Sequence, residues 1–465
     1  MNIPHLLPVF VPAFATAAAA FGGELADLKL KARTDKENPI DYEVGETIRF
    51  DFFLDGVDKL PANAPEPFHV VWTRTGDDGV TLKGTNTISL ASGFSVETSL
   101  AIPGIVRIQG TLYGADSQKI KDGSNKDIAF DGGAGVATER MQFSAPEPAD
   151  FDSFWAEAKA KLAAVPFKDG VQLIEVFPAT SNTNKYHFYE ARVPCLGPRP
   201  VTGWLVVPRN AQPGTLSIKA TFDGYGMRTN APALPMGVPG PSQMIFAVNA
   251  HGYDMTGRDD RYYQDLNEAI NKRGRTATYG LMESDYDDPT DTYFYYMALR
   301  VVRAFDYLKS RPEWNGRDII AEGGSQGGLQ TMWAGGLVDG ITQIRPSITW
   351  GCDVGCPRRG HTQLLSRDRG FPSVPGALYF DAALHAKRVP ATCRAEIARL
   401  GMGDYTCPPR GVLLSYYNMG CPVTVKLVQG SNHGYVPPEP NQTFTLSRGE
   451  TDTLAKPRLT GDSTH

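Results

Sequence analysis

A short glycine-rich motif in the second half of the chain places a serine in a setting suited to nucleophilic catalysis. Residues 323–327 read Gly-Gly-Ser-Gln-Gly, a GxSxG pattern centred on Ser325. The apolar run before the motif is typical of a strand, and residues 327–337 after it are compatible with a helix. In such a strand–turn–helix the serine occupies a strained turn, so the residues two before and two after it must be small. The motif predicts that Ser325 is a nucleophile, with a helix N-terminus behind it to stabilise an oxyanion.

A serine nucleophile needs a base to remove its proton and a carboxylate to orient that base. In this strand–turn–helix context the chain order is serine, acid, histidine. His433 fits best, because it follows the strand-like run Val423–Val428 in a glycine-containing loop. His361, His385 and His465 also follow the serine, but His385 is expected in a helix at the surface and His465 is the terminal residue.

Asp404 is the predicted acid. It follows the strand-like run Arg394–Leu400, and it leaves room for a helix and a strand before His433. Asp353 and Asp381 are rival acids in less suitable contexts. The predicted catalytic set is therefore Ser325, Asp404 and His433.

Composition excludes several other classes of function. The formal net charge of −5 and the lack of a Lys/Arg run argue against a nucleic-acid partner. Six cysteines permit disulfides in an exported protein, but their pairing stays open. Cys352 and Cys356 have no second Cys or His pair nearby at zinc spacing, so neither a metal site nor a cofactor is predicted.

The N-terminus resembles a secretory signal peptide. An apolar stretch from Leu6 to Phe21 ends in small residues, which predicts a signal over residues 1–22 with cleavage near Ala20, although no Lys or Arg precedes the stretch. Later segments fall short of the ~18 uninterrupted apolar residues that a membrane span needs. The mature protein is therefore expected to be soluble, and secreted or periplasmic.

The rest of the chain divides into two predicted domains. Residues 24–145 contain short alternating strands separated by turn residues, which predicts a β-sandwich of immunoglobulin type. A proline-bearing linker precedes residues 149–442, where strands alternate with helices and predict an α/β-hydrolase fold with a mostly parallel sheet. Residues 443–465 read as a polar, poorly ordered tail. The predicted strands and helices of the second domain include strands 216–222, 244–248, 318–322, 347–350, 394–400 and 423–428, and helices 293–308, 327–337 and 410–417.

Residues ~149–440 resemble the acetyl xylan esterase/cephalosporin C deacetylase family of carbohydrate esterases. The blocks that carry the resemblance are the helix around Phe151–Trp155, the segment 298–304 with the Arg311-Pro312-Glu313 turn, Gly-Gly-Ser-Gln-Gly-Gly at 323–328, Asp404 with Cys407-Pro408-Pro409, and Asn432-His433-Gly434. The family implies an α/β-hydrolase that removes acetyl groups from O-acetylated sugars without a metal.

The resemblance also implies an oxyanion hole made by two backbone N–H groups, those of Gln326 and Tyr225. The loop around Tyr225 matches the family only in part, since Thr221 and Asp223 depart from its pattern. The chain also has Asn249-Ala250-His251-Gly252-Tyr253 where the family usually carries an Arg-Gly-Gln block. These departures surround the expected pocket and put the acetyl specificity in question. The N-terminal sandwich is additional to the compact family members, so the family's ring-shaped oligomer is not carried over.

The sequence thus predicts a serine esterase that hydrolyses acetyl or other short acyl esters of carbohydrates such as acetylated xylan. Two alternatives remain: a prolyl-oligopeptidase-like serine peptidase, which shares the fold and the triad order, and a non-catalytic glycan-binding protein on a hydrolase fold.

Overall fold

A computed structural model of the protein describes residues 27–57, 67–235, 237–271, 279–355, 373–438 and 442–449. The predicted signal segment 1–22 lies outside these residues. Seven strands form the N-terminal β-region: β1 (Lys29–Thr34), β2 (Ile48–Asp55), β3 (Phe68–Gly76), β4 (Leu82–Ile88), β5 (Phe94–Thr98), β6 (Gly104–Tyr113) and β7 (Ala129–Val136).

The N-terminal β-region consists of two antiparallel sheets. One has the strand order β1-β2-β5 and the other β4-β3-β6-β7. Alternate side chains of β2 and β6 point inward, as the period of two in a strand requires. Phe50, Phe52 and Phe68 are among the buried residues of a hydrophobic core that belongs to this region.

The remaining strands form one ten-stranded sheet with the order β17-β16-β15-β14-β13-β11-β12-β10-β9-β8. Strands β11 to β16 pair in parallel, whereas β8, β9, β10 and β17 pair antiparallel at the two sides. The strands are β8 (Gln172–Glu175), β9 (Tyr186–Val193), β10 (Val201–Pro208), β11 (Leu216–Phe222), β12 (Gln243–Asn249), β13 (Trp314–Gly324), β14 (Gln343–Ser347), β15 (Arg394–Gly401), β16 (Val423–Val428) and β17 (Thr443–Arg448).

Helices cover this sheet and complete its core. They are α1 (Phe151–Ala163), α2 (Asp260–Asn271), α3 (Tyr293–Ser310), α4 (Gln326–Leu337), α5 (Ala382–Ala386) and α6 (Pro409–Asn418). Helix α4 is buried along nearly its whole length, and α3 packs beside it. Within the described residues, no helix has the length and apolar character needed to cross a membrane.

Two predicted elements need correction. The strand predicted over 347–350 runs instead over Gln343–Ser347, because Ile348 has a φ of 39° that ends the extended backbone. Part of the predicted polar tail, Thr443–Arg448, forms β17, which pairs with β16 from Val423↔Arg448 to Val428↔Thr443. Hydrogen bonds to a neighbouring strand place this polar segment in the sheet although its hydrophobic pattern is weak.

A buried arginine connects the N-terminal β-region to the sheet. Arg410, at the start of α6, lies 3.3 Å from a carboxylate oxygen of Asp77 and 3.0 Å from one of Asp353. Its third contact is a hydrogen bond donated to Gln142 O at 2.6 Å. The side chains of Arg410, Asp77 and Asp353 are all at most 6% exposed.

We expect Arg410→Met to lower the free energy of unfolding by about 3–5 kcal/mol, because it removes a buried cation that contacts two buried carboxylates. Denaturant-induced unfolding followed by circular dichroism measures this loss. Arg317→Met is the matched control, since it removes an exposed pair with Asp318 and should change stability little. Equal stability of the two variants would contradict a structural role for Arg410.

Candidate active site

Ser325 occupies the turn between β13 and α4. Strand β13 ends at Gly324 and α4 begins at Gln326, so a single residue makes the connection. The backbone of Ser325 has φ 59° and ψ −120°, a conformation that costs energy for any residue other than glycine. Its N–H donates to Ser347 O at 3.0 Å, which fixes the turn against β14. This is the strand–turn–helix geometry that the GxSxG motif requires.

The glycines of the motif differ in the space around them. A Cβ added at Gly327 would lie 2.1 Å from Phe222 O, and one at Gly323 would lie 2.5 Å from Gly327 O. A Cβ at Gly324 would meet nothing closer than Ser347 O at 3.7 Å. The turn therefore requires glycine at positions 323 and 327 and tolerates a side chain at position 324.

We expect Gly327→Ala to destabilise the protein by roughly 2–4 kcal/mol, because the new methyl group overlaps backbone atoms that cannot move independently. Gly324→Ala is the matched control, because Gly324 lies three residues earlier at a variable position of the motif and has room for a methyl group; this variant should unfold like the wild type. Thermal unfolding of the two variants measures the difference. A wild-type melting temperature for Gly327→Ala would show that the turn has more room than described.

Asp404 lies in the loop after β15 and is buried, with only 1% of its surface exposed. Its Oδ1 accepts hydrogen bonds from the backbone N–H groups of Thr406 at 3.0 Å and Cys407 at 2.8 Å. Its Oδ2 lies 3.0 Å from His433 Nδ1. The carboxylate is thus held on one oxygen by its own loop and faces the imidazole with the other.

His433 lies in the loop after β16, the strand next to β15 in the sheet. Its side chain is partly exposed, at 29%, and its backbone oxygen accepts from Arg399 Nη2 at 3.2 Å. The two loops touch directly: Gly403 N–H donates to Ser431 O at 3.0 Å. Neighbouring parallel strands thus bring Asp404 and His433 together although 28 residues separate them in the chain.

Cys407 lies close to all three predicted catalytic residues. The Ser325 side chain is near enough to the Cys407 thiol to offset part of the rise in its pKa. Cys407 Sγ also lies within 4.8 Å of a carboxylate oxygen of Asp404 and a ring nitrogen of His433. Cys407 therefore places Ser325 beside the Asp404–His433 pair. In the sequence, Cys407 belongs to a segment that resembles the esterase family, and no pattern there predicts that it lies near Ser325.

Asp404, Cys407 and His433 are residue types that also ligate metals. Burial, followed by the neighbouring carboxylate of Asp404, raises the pKa of the Cys407 thiol well above its usual range. A metal would require the thiolate, and it would compete for the nitrogen and oxygen that join His433 to Asp404. The donor chemistry therefore favours a hydrogen-bonded network over a metal centre.

The two predicted oxyanion-hole residues lie in segments close to Ser325. Gln326 is the first residue of α4, and Tyr225 is in the loop after β11, whose last residue pairs with Gly323 of β13. A Cβ added at Gly224 would lie 4.0 Å from Ser325 Cβ, so this loop passes close to the serine. The structure thus brings the Tyr225 loop and the start of α4 to the same place.

A buried network that the sequence did not predict connects these two loops. Tyr279 Oη donates to Gln326 Oε1 at 2.7 Å and accepts from Gly226 N–H at 3.0 Å. His251 Nε2 donates to Gly226 O at 2.8 Å, while its Nδ1 accepts from Tyr293 Oη at 2.6 Å. Desolvation lowers the pKa of His251 to about 3, which keeps the ring neutral as this pattern needs. The departure at residues 249–253 therefore places a histidine against the loop that carries Tyr225.

The rival candidates lie elsewhere. Asp353 is paired with Arg410 and accepts from Ser144, and Asp381 caps α5 through Ala383 N–H. The expectation of a surface position for His385 is wrong: it is fully buried, and its Nε2 lies 3.0 Å from Tyr379 O. His361 and His465 lie outside the described residues.

Comparisons with known proteins point to one family. Residues 138–357 match the family model of acetyl xylan esterase (AXE1). The acetyl esterase Axe7A of Xylanibacter ruminicola is 22% identical over 379 residues, which cover 79% of this chain and 78% of that protein. This chain is a carboxylic ester hydrolase that resembles the acetyl xylan esterases.

Solved structures of such esterases share the fold. The acetyl xylan esterase from Paenibacillus sp. R4 has a TM-score of 0.50 at 22% identity, covering 64% of this chain and 94% of that one. Acetyl xylan esterase 1 from Thermoanaerobacterium sp. JW/SL YS485 has a TM-score of 0.51 at 17% identity, covering 65% and 93%. The predicted α/β-hydrolase fold is therefore confirmed for the part of the chain that these two structures cover.

Proposed function

We propose that this ester hydrolase removes acetyl or other short acyl groups from carbohydrates such as acetylated xylan, with Ser325, His433 and Asp404 as a catalytic triad. The observation that carries the proposal is the meeting of a strained Ser325 turn with the hydrogen-bonded Asp404–His433 pair around Cys407. The similarity to acetyl xylan esterases supports the substrate class.

The proposed reaction proceeds through an acyl-enzyme. His433 takes the Ser325 proton while Oγ attacks the ester carbonyl, and Asp404 holds the imidazole in its tautomer and stabilises the imidazolium. The backbone N–H groups of Gln326 and Tyr225 stabilise the tetrahedral oxyanion. His433 then gives its proton to the leaving sugar oxygen, which departs as the free hydroxyl. In the second half His433 takes a proton from the water that attacks the acyl-enzyme, and it returns this proton to Ser325 Oγ as the carboxylic acid leaves.

The N-terminal β-region and the N-terminus complete the proposal. We assign the two antiparallel sheets to an immunoglobulin-like sandwich domain over 24–145, followed by the esterase domain from 149. The apolar stretch at residues 6–21 is proposed to export the protein to the periplasm or the medium, where polysaccharide substrates are found.

A substrate panel tests the function. Acetate release is measured from acetylated xylan and from an aryl acetate, and a Pro-nitroanilide peptide serves as the third substrate. Release from both esters, with the peptide left intact, is the expected result. Aryl acetate cleavage alone would retain the ester chemistry and overturn the xylan assignment, whereas peptide cleavage would favour the peptidase alternative. Binding to xylan without turnover of any substrate would favour the glycan-binding alternative.

A further inference from the structure

The N-terminal β-region touches the loop that carries His433. Gln429 directly follows β16, four residues before His433, and is 1% exposed. Its Oε1 accepts from Gly133 N–H at 3.1 Å, and its Nε2 donates to Gly133 O at 2.5 Å. A Cβ added at Gly132 would lie 2.4 Å from the same Oε1, so the amide group fits closely against β7. One side chain thus fixes the start of the His433 loop to the backbone of a strand from the other region.

The same strand touches the loop that carries Asp404. Asp131 of β7 accepts two hydrogen bonds from the Arg107 guanidinium, at 2.9 and 2.6 Å. This guanidinium lies over the ring of Tyr405, the residue after Asp404, with 4.1 Å to the ring centroid. A Cβ at Gly403 would lie 2.1 Å from Asp131 O, so the two backbones are in direct contact. We call Arg107, Asp131 and Gly133 the clasp.

We infer that the clasp positions Asp404 and His433 for the reaction, an inference that rests on the proposed function. Each of these residues lies in a loop, and a loop has more conformational freedom than the strand it follows. The clasp presents a paired strand to both loops at once and so restrains their relative position. The N-terminal β-region is then part of the working active site, and Gln429 and Arg107 are positioning residues.

Gln429→Met tests the inference because it keeps the length of the side chain and removes both hydrogen bonds to Gly133. We expect kcat for an aryl acetate to fall by about 10- to 100-fold with little change in KM, since a displacement of about 1 Å at a reacting group costs up to 10²-fold. Arg107→Met is expected to act in the same direction. Arg107→Lys, which keeps the charge that Asp131 needs, should recover part of the lost kcat.

Tyr417→Phe is the control, because it removes a different hydrogen bond between the two regions. This bond joins the Tyr417 and Thr138 hydroxyls at 2.8 Å, away from both loops. It should turn over like the wild type. Hydrogen exchange of residues 401–407 and 429–435 gives a readout that does not depend on turnover. It should become faster in Gln429→Met and stay unchanged in Tyr417→Phe. Wild-type kcat and exchange in Gln429→Met would overturn the inference. Turnover that does not depend on Ser325 would overturn the proposed function. In that case too, unchanged exchange in Gln429→Met would overturn the inference about the clasp, because exchange does not depend on turnover.

A second observation concerns two buried cysteines, Cys393 and Cys421. They come just before β15 and β16, at the opposite ends of these strands from Asp404 and His433. In the parallel pairing of β15 with β16, Ala395 lies opposite Val423, and the same offset places Cys393 opposite Cys421. Cys393 is completely buried and Cys421 is 3% exposed. The two thiols are near enough that their interaction raises the pKa of Cys393 and lowers that of Cys421. Neighbouring strands lie about 4.8 Å apart, within the Cα separation of about 4.4–6.8 Å that a disulfide spans.

We propose that Cys393 and Cys421 form a native disulfide when the protein folds in an oxidising environment. With oxidised glutathione as the oxidant, the Cys421 thiolate attacks one glutathione sulfur and expels the other glutathione as a thiolate. The Cys393 thiolate then attacks the Cys421 sulfur of the mixed disulfide and expels the second glutathione. The two cysteines lose two protons and two electrons, and the electrons remain on two glutathione thiols. The bond closes a loop over residues 394–420, which contains α6 and Asp404.

Refolding in a buffer of reduced and oxidised glutathione, followed by alkylation and non-reducing peptide mapping, tests this proposal. We expect one cross-linked pair of peptides, containing Cys393 and Cys421, while Cys195, Cys352 and Cys407 remain alkylatable once the protein is unfolded. The oxidised protein should melt roughly 5–10 °C above the reduced protein, and this difference should vanish in Cys421→Ala. Full alkylation of Cys393 and Cys421, or a bond from either to another cysteine, would overturn the proposal. An equal melting temperature with the bond formed would overturn its stabilising role.

Discussion

Ser325→Ala is expected to lower kcat for an aryl acetate by about 10⁴–10⁶-fold while the protein remains folded. The substitution removes the oxygen that we propose forms the acyl-enzyme, and binding and oxyanion stabilisation alone cannot replace it. The fold should persist, because the Ser325 side chain takes no part in the backbone hydrogen bond from Ser325 N–H to Ser347 O or in the start of α4. Initial rates on purified protein, with circular dichroism to confirm folding, provide the measurement.

Ser310→Ala is the control for this experiment. Ser310 ends α3, where its hydroxyl donates only to Tyr307 O at 2.7 Å, so its loss should leave the rate unchanged. A second readout is covalent labelling by a fluorophosphonate, which should attach to the peptide that contains Ser325 in the wild type and in Ser310→Ala. A wild-type rate in Ser325→Ala, or labelling at another serine, would overturn the assignment of the nucleophile.

Asp404→Asn is expected to lower kcat by about 10⁴-fold at neutral pH. The amide is close in size to the carboxylate but presents a donor to the imidazole, so His433 adopts the tautomer that cannot accept the Ser325 proton. It also loses the negative charge that stabilises the imidazolium. The backbone N–H groups of Thr406 and Cys407 can still donate to the remaining amide oxygen, so the loop should keep its shape.

Asp381→Asn distinguishes Asp404 from a rival acid. Asp381 is about as buried as Asp404. Its carboxylate accepts from the backbone N–H groups of Asp353, Val354 and Ala383, and it is not hydrogen-bonded to the His433 imidazole. We expect the folded fraction of Asp381→Asn to retain kcat within a few fold. A loss of about 10⁴ in Asp381→Asn together with a wild-type rate in Asp404→Asn would reverse the assignment of the acid.

Local patterns in the sequence were sufficient where the requirement itself is local. The turn at Ser325 needs small residues two positions away on each side, and that need is visible in a five-residue motif. The long helix α3 and the strands β11 and β16 were also predicted, because their apolar runs are long and bounded by turn residues. The choice of Asp404 and His433 followed from the rule that loops after parallel strands meet at one edge of a sheet.

Local patterns failed where polar strands pair with neighbours. Strand β14 contains Arg345 and Pro346 and has no strong apolar run, so the sequence pattern favours a strand at the more apolar residues after it. The polar segment that forms β17 predicts a tail for the same reason. In both cases the hydrogen bonds of an adjacent strand, which a single sequence does not display, determine the structure.

The sequence by itself determined the glycine-bounded turn at Ser325 and most of the α/β architecture, because each depends on residue types close together in the chain. Only the tertiary structure decided what surrounds these groups. Cys407 between Ser325 and Asp404, Tyr279 between Gln326 and Gly226, and Gln429 against Gly133 are all contacts between segments far apart in sequence. Such contacts leave no periodicity or spacing in the chain, since they form only when separate strands and loops pack against one another.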